Sequence, residues 1–302
     1  MLLTLAFLSD HFVFGKRCDK NPLLKYYTSE DLGLSAEAVS LPNGLNGFIY
    51  NKNGANAKES IIIFCHGMGP GHIAYTTEIE YFCNVGYTVL AIDSRGCGFS
   101  QGKNMKGMYS GVKTVISAID FAKENHFKNI YLVGHSWGAY SALCASAKRK
   151  VDKVVAISAP NTPSRTMRDG AVNMGVLPRP VAAILQPFWA FVNFVKFGAK
   201  GNANAAKCAC KNSTPTLLIH GDKDGVVQLK NSAFSKADGK YIEKFLAEGK
   251  GHNPYNTVKA ETYLAQLSQY LKKKQDVSDF DFSAATEEDV VVMQKIFNFL
   301  ES

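Results

Sequence analysis

The chain has 302 residues, 46% hydrophobic and 20% charged, which excludes a disordered or collagen-like polymer and fits one large globular domain carrying an insertion. Thirty-four basic against twenty-six acidic residues leave a formal charge of +8, but the lysines are scattered singly apart from Lys272-Lys273-Lys274, so no nucleic-acid surface is expected. Seven cysteines, an odd number with no CxxC pair, indicate neither a disulfide framework nor a zinc site and suit a reducing cytoplasm.

In chain order, residues 1–8 are apolar but lack a basic start and a small-residue cleavage site, and they fall far short of the ~20 residues that span a bilayer. Peripheral membrane contact through this end therefore stays open. Pro42-Asn43-Gly44 and Asn51-Lys52-Asn53-Gly54 bracket short extended runs, the pattern of an antiparallel hairpin. Beyond it, the stretches 61–64, 88–92, 130–133, 154–157 and 216–219 are continuously apolar rather than alternating, as strands buried on both faces are. Helical spacing lies between them, for example Val112, Val115, Ile116, Ile119 and Ala122. Alternating strand and helix predict an α/β fold, a mostly parallel central sheet with helices on both faces.

The alternation stops between residues 161 and 211. A structureless loop of about fifty residues is foreign to a compact domain, so this segment is expected to be a helical insertion, with residues 1–160 and 212–302 forming the core. Within it, residues 181–197 carry apolar side chains nearly all the way round, with one charge at Lys196, and must be covered on more than one face by core, ligand, partner or lipid. Pro187 is expected to divide this stretch into two short helices. Near the end, Val290, Met293, Ile296, Phe297 and Leu300 recur at helical spacing behind Thr286, an expected N-cap with Asp289 three residues on.

The chemistry concentrates at Gly134-His135-Ser136-Trp137-Gly138, which directly follows the 130–133 strand and precedes an alanine-rich helical stretch. This is the strand, sharp turn, helix context that a G-x-S-x-G nucleophile requires. A serine hydroxyl needs a histidine to take its proton and a carboxylate to hold that histidine in the right tautomer. Downstream, the 216–219 strand ends in His220-Gly221-Asp222-Lys223-Asp224-Gly225, and the strand expected at 241–246 is followed by Gly249-Lys250-Gly251-His252. Loops beyond the carboxyl ends of parallel strands are where such a sheet builds its site. His252 is the expected base, with Asp222 and Asp224 both within the acid-bearing loop. His66, His135 and His220 read as hydrogen-bonded packing residues, and His11, His72 and His126 stand in unremarkable contexts. A developing oxyanion needs two donors: the Trp137 N–H at the start of the elbow helix, and the Met68 N–H from the loop His66-Gly67-Met68-Gly69-Pro70-Gly71.

With these residues in place, the chain resembles the α/β-hydrolase superfamily over nearly its whole length, and within it the cap-bearing esterases, monoacylglycerol lipases and prolyl aminopeptidases. Four blocks carry the resemblance in order: His66-Gly67, the turn Asp93-Ser94-Arg95-Gly96-Cys97-Gly98-Phe99-Ser100, the elbow, and the pair Gly221-x-x-Asp224 with Gly251-His252. The resemblance implies the acid at the second aspartate, Asp224, and a cap formed by residues 161–211. Ester hydrolysis through an acyl-enzyme is then expected, with Ser136 as nucleophile, His252 as base, Asp224 as orienting acid and no cofactor. Phe188, Trp189 and Phe191 in the insertion point to an apolar acyl or aromatic ester as the small-molecule partner. An amidase or aminopeptidase of the same fold, and a non-catalytic membrane-surface or partner-binding protein, stay open, as does membrane contact through the insertion.

Overall fold

The computed structural model describes residues 1–52, 59–273, 275–277 and 280–302; Asn53 and Gly54 of the second expected turn and Lys274 of the lysine run lie outside the described residues. The chain opens with helix α1 (Leu2–Phe14), then the hairpin β1 (Leu34–Leu41) and β2 (Leu45–Lys52) around the turn Pro42–Gly44. There follow β3 (Ser60–Cys65), α2 (Thr76–Asn84), β4 (Thr88–Asp93), α3 (Met108–Glu124), β5 (Asn129–His135), α4 (Trp137–Ser146) and β6 (Lys153–Ile157). Helices α5 (Pro163–Asn173), α6 (Arg179–Phe197) and α7 (Ala205–Lys211) come next. The core resumes with β7 (Thr216–Gly221), α8 (Ala233–Lys236), β8 (Ile242–Ala247), α9 (Val258–Lys272), α10 (Phe282–Ala285) and α11 (Val290–Glu301).

The eight strands form one sheet in the order β1-β2-β4-β3-β5-β6-β7-β8. Strand β2 runs antiparallel to β1 and β4, and every neighbouring pair from β4 through β3 to β8 is parallel. Within a strand, successive side chains enter opposite cores. Ile61 and Ile63 pack on the side of α3 and α4, whereas Ile62 and Phe64 pack on the side of α2 and α11. Both faces are covered, so the strands are apolar throughout. Burial of each branched aliphatic contributes roughly 1.5–3 kcal/mol, and a one-residue slip would exchange the two cores, so register is tightly held.

Two local expectations are corrected, and the N-terminus gains a structure. Helix α6 runs unbroken through Pro187: the ring removes one backbone donor, but Leu185 and Trp189 on either side are fully buried and hold both halves against the core. Helix α11 is capped by Asp289, whose carboxylate accepts from the Val292 N–H, while Thr286 instead ends α10. The apolar N-terminus is a helix that buries Ala6, Asp10 and Phe14, one stripe at i, i+4 and i+8. It packs on α6 through a hydrogen bond from the Trp189 indole Nε1–H to Ser9 Oγ (2.8 Å) and an ion pair between Asp10 and Lys196.

Candidate active site

Strand β5 leads straight into α4 with Ser136 between them at φ 53°, ψ −114°. A left-handed backbone costs a serine energy and persists only where the surroundings impose it. Here the imposition is close packing: a Cβ at residue 138 would lie 1.9 Å from the Cys65 carbonyl oxygen, and one at residue 134 would lie 2.7 Å from the Gly138 carbonyl. Only glycine fits at either position, so the turn stays tight and lifts the Ser136 hydroxyl above the sheet edge.

The Ser136 hydroxyl donates to His252 Nε2 at 3.0 Å, and His252 Nδ1–H donates to Asp224 Oδ2 at 2.9 Å. Asp224 stands in the loop after β7 and His252 in the loop after β8, neighbouring parallel strands whose carboxyl ends open on the same edge. The Asp224 side chain is fully buried, and its other oxygen accepts from the Val226 and Val227 N–H groups at 2.8 Å each. Burial pushes this carboxyl up, but the bond from His252 and the loop amides outweigh it and hold it below the ordinary carboxylate range. It is therefore an acceptor, and it fixes the proton of His252 on Nδ1, leaving Nε2 free to take one. Asp222 has different partners: it accepts from the Gly249 N–H at 2.6 Å and pairs with Lys223.

Two further histidines brace this centre. His135 Nε2–H donates to the His252 carbonyl at 2.9 Å, and its Nδ1 accepts from the Tyr75 hydroxyl at 2.9 Å. The Tyr75 oxygen in turn accepts from the Gly67 N–H at 3.0 Å. One relay thus joins the loop after β3 to the main chain of His252. Burial, with the neighbouring His252, pushes His135 down to about 3, so it remains a neutral strut. Ser158, also left-handed at φ 53°, donates to the same His252 carbonyl at 2.8 Å. His220 is buried, donates to the Val227 carbonyl at 2.9 Å and lies 3.4 Å from Asp224.

With the Gly67 N–H occupied by Tyr75, the next amide of the loop, that of Met68, makes no hydrogen bond among the described residues. The Trp137 N–H is the first of α4, where helical partners are lacking and the dipole favours negative charge. The Trp137 indole points inward to the Met108 carbonyl at 2.7 Å. His72 departs from the sequence reading: it is buried between Asp93 and Tyr50 at 2.9 Å from each. Asp93, fully buried, also accepts from the His72 and Phe99 amides and so clamps the loop after β3 to the 93–100 turn. Tyr75, His72 and Ser158 carried no sequence signal, since each reaches a partner at least 20 residues away, His135 for Tyr75, Asp93 for His72 and His252 for Ser158; only the G-x-G-x-S pattern of the 93–100 turn pointed at Asp93.

The insertion residues are placed otherwise than expected. Trp189 is 1% exposed and spends its one donor on Ser9 of α1, so it offers no surface to a ligand. Phe191 is 48% exposed on the outside of α6, and Phe188 is half-buried against the core. Helix α5, by contrast, meets the acid-bearing loop: Asn173 Nδ2 donates to the Gly225 carbonyl at 2.8 Å, and Asn231 donates to Asp169 at 2.6 Å.

Residues 56–190 match the family described as serine aminopeptidase, S33. Among curated proteins, the probable aminopeptidase YbaC of Bacillus subtilis (strain 168) is 32% identical over 98 residues, 30% of this chain and 30% of that protein. Epoxide hydrolase 3 of Siraitia grosvenorii is 27% identical over 82 residues, 27% of this chain and 26% of its own length. The chain thus spans less than a third of the length of these curated relatives. Among solved structures, the esterase Pf2001 of Pyrococcus furiosus superposes with a TM-score of 0.62 at 22% identity, over 85% of this chain and 98% of that one. The α/β hydrolase GrgF of Penicillium gives 0.52 at 18% identity, over 80% and 98%.

Proposed function

We propose that this chain, a serine hydrolase of the α/β-hydrolase superfamily, cleaves carboxylic esters with apolar acyl or aromatic groups through an acyl-enzyme. The observation that carries the reading is the relay from the Ser136 hydroxyl through His252 to the buried Asp224. In it, Ser136 Oγ bonds to the acyl carbon while its proton passes to His252 Nε2, and the carbonyl oxygen becomes an oxyanion within reach of the Trp137 and Met68 amides. Collapse breaks the bond to the alcohol, which leaves with the proton from His252. Water then repeats the sequence on the acyl-enzyme and frees the acid. Asp224 stays ionised throughout, and the reaction calls on no cofactor. In this reading residues 161–211 form a cap on the core, seated on the acid loop through α5.

Cleavage of an amide is the second reading, favoured by the match to the aminopeptidase family over residues 56–190. Against it stands the charge of the insertion. Its one acid, Asp169, is already held by Arg168 and Asn231, so it leaves no carboxylate there to receive the free amine of an aminoacyl substrate. Likeness in shape to the Pyrococcus esterase supports the ester.

The test is a panel of p-nitrophenyl acyl esters against aminoacyl p-nitroanilides, with fluorophosphonate labelling in parallel. Ester turnover and labelling are expected, both lost in Ser136→Ala with a fall of order 10⁶ in kcat and an intact fold. Labelling that persists in the variant identifies another nucleophile, and anilide turnover above ester turnover selects the amidase.

A further inference from the structure

Helices α1 and α6 each carry two apolar faces, and the protein covers only one of each. Inward, Ala6 and Phe14 of α1 and Ala182, Leu185, Trp189 and Val192 of α6 belong to one core. Outward, Leu8 and Phe12 of α1 are 62% and 77% exposed, and Ile184 and Phe194 of α6 are 57% and 54% exposed. The two helices lie against each other through Ser9–Trp189 and Asp10–Lys196, so their outer stripes sit on neighbouring rods. Water is a poor neighbour for such a surface.

The charge around these stripes is predominantly basic. Helix α6 holds no acid, and the only acid of α1, Asp10, is buried and neutralised by Lys196. Residues 161–211 contain seven basic side chains, Arg179 at the start of α6 and Lys200 just beyond its end among them, against Asp169 alone, and Lys16, Arg17 and Lys20 follow α1 with one acid, Asp19, which pairs with Arg17. Two copies of this face would bring like charges together in an isologous contact. An anionic sheet is its complement.

We infer that the α1–α6 face docks on the surface of a lipid bilayer containing anionic lipids, with both helices lying in the interface, their outer stripes among the upper acyl chains and the basic rim on the headgroups. Apolar burial and electrostatic attraction add in such docking. Crossing the bilayer is a different matter. The stretch Arg179–Lys211 is long and apolar enough to span by composition, but spanning would strip Leu185, Trp189 and Val192 from the core and expose the Asp10–Lys196 pair. The inference rests on surface and charge alone and does not depend on which bond Ser136 cleaves.

Flotation of the full chain with vesicles tests it, using phosphatidylcholine alone and phosphatidylcholine mixed with phosphatidylglycerol. The expected result is at least about tenfold more protein on the anionic vesicles, falling as salt is raised. The pairs Leu8→Ser with Phe12→Ser, and Ile184→Ser with Phe194→Ser, should each lower the bound fraction by about tenfold while far-UV circular dichroism and turnover of a soluble ester stay unchanged. Three results overturn the inference: equal or no flotation with both vesicle types, binding undiminished by either pair of substitutions, or a solution dimer that those substitutions disperse while vesicles capture nothing, which makes a second copy the occupant.

Discussion

Asp222 and Asp224 stand two residues apart in one loop yet meet different partners, and the difference decides which of them matters. Asp224 Oδ2 receives the His252 Nδ1–H, whereas Asp222 ties down Gly249 from the outside of the same loop. Asp224→Asn puts a donor where an acceptor is needed and should lower kcat by about 10⁴, as when the histidine takes the wrong tautomer. Asp222→Asn keeps an acceptor for Gly249 and should change kcat by less than about tenfold, a gap that steady-state kinetics on one ester resolves. Tyr75 calls for a finer test. Its hydroxyl satisfies the buried Gly67 N–H and feeds His135, so Tyr75→Phe orphans both and should cost about 1–3 kcal/mol of stability. Because Gly67 precedes Met68, kcat should fall as well, by no more than the ~10²–10³ that losing a whole oxyanion donor costs, with KM little changed. A loss of stability with kcat intact would make Tyr75 a packing residue only.

At the scale of elements, α6 joins the N-terminal helix to the core, and Trp189 is the side chain that does it. Fully buried and bonded to Ser9, it should cost about 3–5 kcal/mol when cut to alanine, read as a lowered urea midpoint. The acyl-chain preference should be unchanged. A shift in that preference with stability preserved would return Trp189 to the substrate pocket. Helix α5 is the element of the insertion that reaches the acid loop, through Asn173 and the Asp169–Asn231 contact. The side-chain hydrogen bonds from α5 to the acid loop and the turn after it thus come from polar residues and not from the aromatic stretch that stands out in the sequence.

Across the whole molecule, two carboxyls outside the triad, buried Glu78 and half-buried Glu288, contribute to how stability depends on pH. Burial pushes Glu78 of α2 up to about 7, and burial together with Glu78 and Glu80 pushes Glu288 up to about 9. Both folded-state values lie above the ~4.3 of an unfolded glutamate. Their contribution is therefore fully present below that value and lost as pH rises through about 7 for Glu78 and about 9 for Glu288. The urea midpoint of Glu78→Gln, which has no charge to bury, should gain on that of wild type between about pH 5 and pH 7.5, a difference from which the opposite contribution of buried, neutral His135, present in both proteins, cancels. An unchanged slope in the variant would place the loss elsewhere. Neither glutamate announces itself in the sequence, where each sits in an ordinary polar context. The sequence by itself determined the doubly covered sheet, since runs such as Ile61-Ile62-Ile63-Phe64 admit no polar face, and it determined the elbow and the His252 loop, because Gly134-x-Ser136-x-Gly138 and Gly249-x-Gly251-His252 are patterns of contiguous residues that each follow a strand. The tertiary structure alone decided what depends on distant approach: Tyr75 and Ser158 bracing His252, Asp93 clamping the loop after β3, and Trp189 turned toward α1 instead of toward a ligand. An apolar helix read from its sequence says that its faces must be covered. Which neighbour covers each face is settled only when helices far apart along the chain pack together.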